Sequence, residues 1–166
     1  MLSLKKSLKL KLKGFERLGI LGVGSLLRGD DAAGMLVAQE IEASVKKLKN
    51  RSWCRVFFGE TAPENLTGPI KAYAPTHLLI IDAFSMEKKP GSVSYFDIID
   101  EVSSISFSTH KMPLTILTDY LKSSIGCSIG FIGIEPKSLK FASFPSPEIK
   151  KSAKLVAQAI LEASKA

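Results

Sequence analysis

Residues 22–34 read GVGSLLRGDDAAG. Their setting decides the fold. The apolar segment RLGILGVG (17–24) precedes them and reads as a buried first strand. DDAAGMLVAQEIEASVKKL (30–48) follows as a helix, with Met35, Leu36, Ala38, Ile41 and Val45 as its apolar stripe. A strand, a glycine turn and a helix open many nucleotide-binding domains, yet here the fingerprint fails. Counting from Gly22, its third small position is Leu27, and no GK[ST] forms a P-loop. Asp30 and Asp31 would repel a pyrophosphate. One aspartate at a helix start has a structural use, because a cap accepts a free backbone N–H and is worth about 0.5–2 kcal/mol. A second, at the carboxyl end of a strand where open α/β sheets bind ligands, is a candidate for chemistry.

Outward from this stretch, apolar runs alternate with helical periodicity. SWCRVFF (52–58) and THLLIIDAF (76–84) read as strands, the latter buried on both faces. APENLTGPIKAYAP (62–75) reads as a short helix interrupted near Gly68 and Pro69, with Thr61 as its cap. KKPGSVSYFDI (88–98) supplies a turn and an alternating edge strand. HKMPLTILTDYLKSS (110–124), CSIGFIGIEP (127–136) and PSPEIKKSAKLVAQAILEASKA (145–166) read as helix, buried strand and C-terminal amphipathic helix. The fold predicted is α/β: a single-domain, three-layer sandwich over residues 1–166, with a twisted, mostly parallel sheet, helices on both faces and a basic arm at 1–15.

The chain has 166 residues and a formal net charge of +7. Its lysines lie in the arm (Lys5, Lys6, Lys9, Lys11 and Lys13) or at the end of the first helix, with no interleaved aromatics to stack bases. A solvated basic face is therefore expected rather than a nucleic-acid footprint. No apolar run is long enough to span a bilayer and no secretory signal is read, so a cytoplasmic protein without membrane insertion is expected. Cys54 and Cys127 lie in apolar strands and in no CxxC pattern, so free, non-catalytic thiols are expected.

Asp82 ends the apolar run HLLIID, where a carboxylate is costly unless solvated, paired or ligated. His110, in FSTHKMPL, precedes a helix; His77 reads as a structural histidine. Asp31, Asp82 and His110 thus occupy three loops at one end of the sheet, a mixed oxygen and nitrogen set suited to a borderline divalent metal.

Taken together, GVGSLLRGDDAAG, ETAPEN, LLIIDAF, PGSVSYFD, STHKMPL and FIGIEP resemble, in order and spacing, the hydrogenase maturation endopeptidases, and most closely the branch serving formate-hydrogenlyase-type hydrogenases. The resemblance implies that Asp31, Asp82 and His110 contact nickel and that Asp31 and Asp82 serve catalysis, as an aspartyl-type endopeptidase. The nickel is implied to be substrate-borne, installed in a [NiFe] hydrogenase large-subunit precursor whose C-terminal extension is removed; other divalent cations can occupy the site in isolation. No resident cofactor is implied, and a monomer is expected. Departures accompany it: Ser25 stands where relatives usually have asparagine and Ala32 where they have glycine, while Phe58 and Glu60 replace a common aspartate and glycine. Glu64 is a further candidate for substrate contact. The alternatives are a nickel-binding chaperone or sensor that cleaves nothing and a dinucleotide-dependent oxidoreductase, the latter disfavoured by Leu27 and the paired aspartates.

Overall fold

The computed structural model describes residues 2–97 and 111–165, with backbone only at 111–113. In chain order the elements are α1 (Leu2–Lys11), β1 (Leu18–Val23), α2 (Ala33–Val45), β2 (Cys54–Glu60), α3 (Thr67–Tyr73), β3 (His77–Ala83), β4 (Val93–Phe96), α4 (Lys111–Ile125), β5 (Ser128–Ile134) and α5 (Pro147–Ala163). Short 3-10 turns at Gly29–Ala32 and Pro63–Leu66 lead into α2 and α3. The sheet order is β2-β1-β3-β5-β4. All pairs are parallel except the edge strand β4, which runs antiparallel to β5.

The unbroken apolar runs follow from burial on both sides of the sheet. In β3, Leu79 and Ile81 join one cluster with residues of α1, α2 and α5. Leu78 and Ile80 join the other, with Ile70 of α3 and Leu114, Leu117 and Leu121 of α4. This is the three-layer sandwich that the periodicity predicts. From β1 the chain crosses through α2 to β2, then returns through α3 to β3 on the far side of β1. The strand order therefore reverses between β1 and β3, and the crevice outside their carboxyl ends is the natural ligand site of such a sheet.

Several details differ from the reading of the sequence. The basic arm is not an arm: residues 2–11 form α1, whose Leu4 and Leu8, with Leu12 just beyond, are buried in the core. Burying three leucines is worth roughly 5–8 kcal/mol, which outweighs the small contribution of the exposed Lys5–Glu162 (2.8 Å) and Lys11–Asp97 (3.2 Å) pairs. Lys5 and Lys11 thus have local acidic partners. α2 begins at Ala33 rather than Asp30, and Val37, not the half-buried Leu36, faces the core. β2 runs two residues later than expected, and α3 is not broken at Gly68 and Pro69. Pro69 lies in its first turn, where no intrahelical partner for an N–H is lost, and the discontinuity falls at Leu66–Thr67. Thr61 caps nothing; the turn at Pro63 follows Ala62 without a side-chain cap.

Candidate active site

The amides of the glycine turn decide what it can hold. Gly24 donates to the carbonyl of Glu60 (2.8 Å), Ser25 to the carboxylate of Asp31 (2.9 Å), and Leu27 to the Ser25 hydroxyl (3.2 Å). Arg28, Gly29, Asp30 and Asp31 donate to the carbonyls of Ser25, Ser143, Ser138 and Arg28. Amides committed to carbonyls and a carboxylate cannot cradle a phosphate. The glycines serve close packing instead. Gly24, at φ +118°, lies so near the carbonyl oxygen of Asp31 that no Cβ fits. Gly34 seats the first turn of α2 directly on the carbonyls of Val23 and Ile81.

Among the described residues the buried carboxylates are Asp30, Asp31, Asp82 and Glu135, and all four lie at the carboxyl ends of strands. Two of them brace loops. Oδ1 of Asp30 accepts the N–H of Ser146 (2.6 Å); Oδ2 accepts the N–H groups of Lys137 (2.7 Å) and Ser138 (3.2 Å) and the Ser146 hydroxyl (3.0 Å). Neither aspartate caps α2; Asp30 staples the loop after β5 to the start of α5. Glu135 accepts the N–H groups of Met86 (2.6 Å) and Lys88 (3.2 Å), fixing the loop that leaves β3.

Asp31 and Asp82 remain, on the two strands that flank the switch point. Asp31 follows β1 in the 3-10 turn that packs against β3, its carboxylate held by the Ser25 amide. Asp82 is the penultimate residue of β3, and its Oδ1 accepts the N–H of Ala83 (2.8 Å). Strand alternation sends its side chain to the face of Leu78 and Ile80, the face α4 covers. His110 lies outside the described residues; the next residue in the chain, Lys111, begins α4. Among the described residues no group of three His, Cys, Asp or Glu side chains is placed to hold a metal ion. Cys54 and Cys127 are free and buried, and burial pushes their thiols up to about 12 and about 11, so neither is a ready thiolate.

Beside the Ser25 amide that holds Asp31 lies a cleft, whose larger lobe of about 520 Å³ is walled by residues 24–27, Met35, Glu60 and Thr61. A smaller lobe of 280 Å³ continues along Phe58, Glu60, Ala62, Asn65 and Leu66. Glu64 lines neither lobe, whereas its neighbour Asn65 lines the smaller one. Glu60 is common to both. It sits at φ +45°, just past an irregularity in the β1–β2 pairing, where Val23 pairs with Glu60 and Gly59 is passed over. A left-handed residue other than glycine is unusual, and such strain gathers at functional edges. The departure from the relatives' glycine was its one signal in the sequence.

The family model described as HycI, hydrogenase maturation protease, matches residues 35–163. The chain belongs to the hydrogenase maturation protease family. A Methanocaldococcus jannaschii relative is 36% identical over 162 residues, covering 96% of this chain and 95% of its own. The hydrogenase 3 maturation protease of Escherichia coli is 37% identical over 139 residues, covering 84% and 85%. The crystal structure of a [NiFe] hydrogenase maturation protease from Thermococcus kodakarensis superposes with a TM-score of 0.83 at 31% identity, over 96% of this chain and 99% of that one. The fold and the membership of a protease family expected from the sequence are thereby established. Among the described residues no helix of this hydrogenase maturation protease is long and apolar enough to cross a membrane.

Proposed function

We propose that this protease removes the C-terminal extension of a nickel-loaded [NiFe] hydrogenase large-subunit precursor, and that the nickel in the substrate is what it recognises. The observation that carries the reading is the pair of buried carboxylates, Asp31 and Asp82, at the ends of the two strands flanking the switch point. His110 is the third member, one residue ahead of the helix that covers the face of Asp82. Two carboxylates and an imidazole suit a borderline metal and leave coordination positions for thiolates of the precursor. Nickel is thus substrate, a bridge between the two proteins, and no resident metal is invoked.

Hydrolysis needs a nucleophile, and the buried, neutral thiols are poor ones. Water is the nucleophile in this reading, with Asp31 or Asp82 accepting its proton. Asp31→Asn, Asp82→Asn and His110→Ala are expected to lose at least about a hundredfold in turnover of the nickel-loaded precursor, each with the melting temperature of a folded protein. Turnover near wild type in any folded member of this set removes that residue from the site.

A further inference from the structure

The loop after β5 is bound to the glycine turn along its whole length. The four hydrogen bonds to Asp30 hold residues 137, 138 and 146. Between them, Gly29 donates to the carbonyl of Ser143 (3.0 Å) and Ala142 donates to the carbonyl of Leu27 (2.8 Å). Arg28 and Ser143 form a parallel bridge. A loop so fixed nonetheless turns two aromatic rings to water, Phe141 at 68% exposure and Phe144 at 92%. Across the bridge, Leu27 is 66% exposed and Leu26 is also open. Arg28 and Lys140 are exposed at the margin.

Scattered apolar side chains on a surface need no explanation, but here backbone hydrogen bonds of Ala142 and Ser143 join the segment that carries the two aromatics to the one that carries the two leucines, which gathers them into a patch. Aromatic rings dominate the energetics of protein interfaces, and a surface held rigid in advance loses less entropy on binding. Leu26 and Leu27 belong both to this patch and to the wall of the cleft. A chain lying in the cleft against these leucines is thereby next to the hydrogen-bonded loop that carries the phenylalanines. We infer that Phe141 and Phe144, with Leu26 and Leu27, form a docking surface for the folded body of the precursor whose tail enters the cleft. The matching surface is apolar at its centre and acidic at its rim, to complement Arg28 and Lys140. This rests on the function proposed above. It explains how a narrow cleft selects one protein: the tail is read in the cleft and the body on the patch.

The test is steady-state cleavage of nickel-loaded full-length precursor by wild type, by the double variant Phe141→Ser/Phe144→Ser and by Lys140→Glu. KM is expected to rise about tenfold or more in the double variant, and less in Lys140→Glu, with kcat within about twofold of wild type. Phe144→Ser alone is the reserve should the double variant misfold, because its ring is almost wholly in water. An unchanged KM in folded variants overturns the docking surface while leaving the proteolytic reading intact. Failure of the wild type to cleave the precursor overturns both. A wild-type dimer in sedimentation that the double variant converts to monomer assigns the patch to a second copy of this chain and overturns the inference.

Discussion

Removing the Asp30 carboxylate separates the two adjacent aspartates by role. Asp30→Ala leaves three backbone N–H groups and one hydroxyl without their acceptor, at positions 137, 138 and 146. An unmet buried donor costs about 1–3 kcal/mol; Lys137 and Ser138 are exposed, so water relieves part of that cost. Taking about 1 kcal/mol for each of the four gives a loss of about 4 kcal/mol, among the largest single-residue effects. For a domain of this size the melting temperature should fall by roughly 8–16 °C. Asp30→Asn can keep its oxygen where Oδ2 lies, but its NH2 then faces the N–H of Ser146, so about 2 kcal/mol is expected. Urea unfolding with an unchanged slope reads both values. Folded Asp30→Asn should keep its kcat, unlike Asp31→Asn. If Asp30→Ala lies within about 1 kcal/mol of wild type, the stapling argument is refuted.

Cys54 and Cys127 should resist iodoacetamide in the folded protein at pH 8 and react in urea, and Cys→Ser at both positions should leave turnover intact; loss of turnover with the fold preserved contradicts this. Their folded thiols titrate at about 12 and about 11 against an ordinary 9.0, so their contribution to stability is full below pH 9 and is lost as pH rises through the folded values. A urea midpoint that does not fall between pH 8 and pH 10 denies their burial. Gly34→Ala places a methyl against the carbonyls of Val23 and Ile81 and should destabilise by about 1–3 kcal/mol as α2 is forced off the sheet; stability equal to wild type in urea shows that no such close seat exists.

What the sequence revealed and what it hid divide on physical lines. LGILGV and HLLIID are legible as central strands because both faces of a parallel sheet are apolar. Asp31 and Asp82 are legible because a carboxylate directly beside such a run demands a reason. The role of Asp30 was hidden, since its partners lie 107 to 116 residues away, and local capping was the nearer explanation. Leu4, Leu8 and Leu12 repeat every four residues, but the lysines between them read as a solvated arm until α5 supplies a surface to bury them. Glu135 belonged to a recognised segment without a role, because the amides it holds, at Met86 and Lys88, belong to a distant loop. The docking phenylalanines carry no periodicity, so only the bridged loop joins them to Leu27.

In the function proposed, nickel in the substrate gates proteolysis. This gate is tested by incubating enzyme stripped of metal with precursor prepared with and without nickel, and following the mass of the large subunit. Loss of the C-terminal extension is expected from the nickel-loaded precursor alone. Equal cleavage of both forms contradicts the gate.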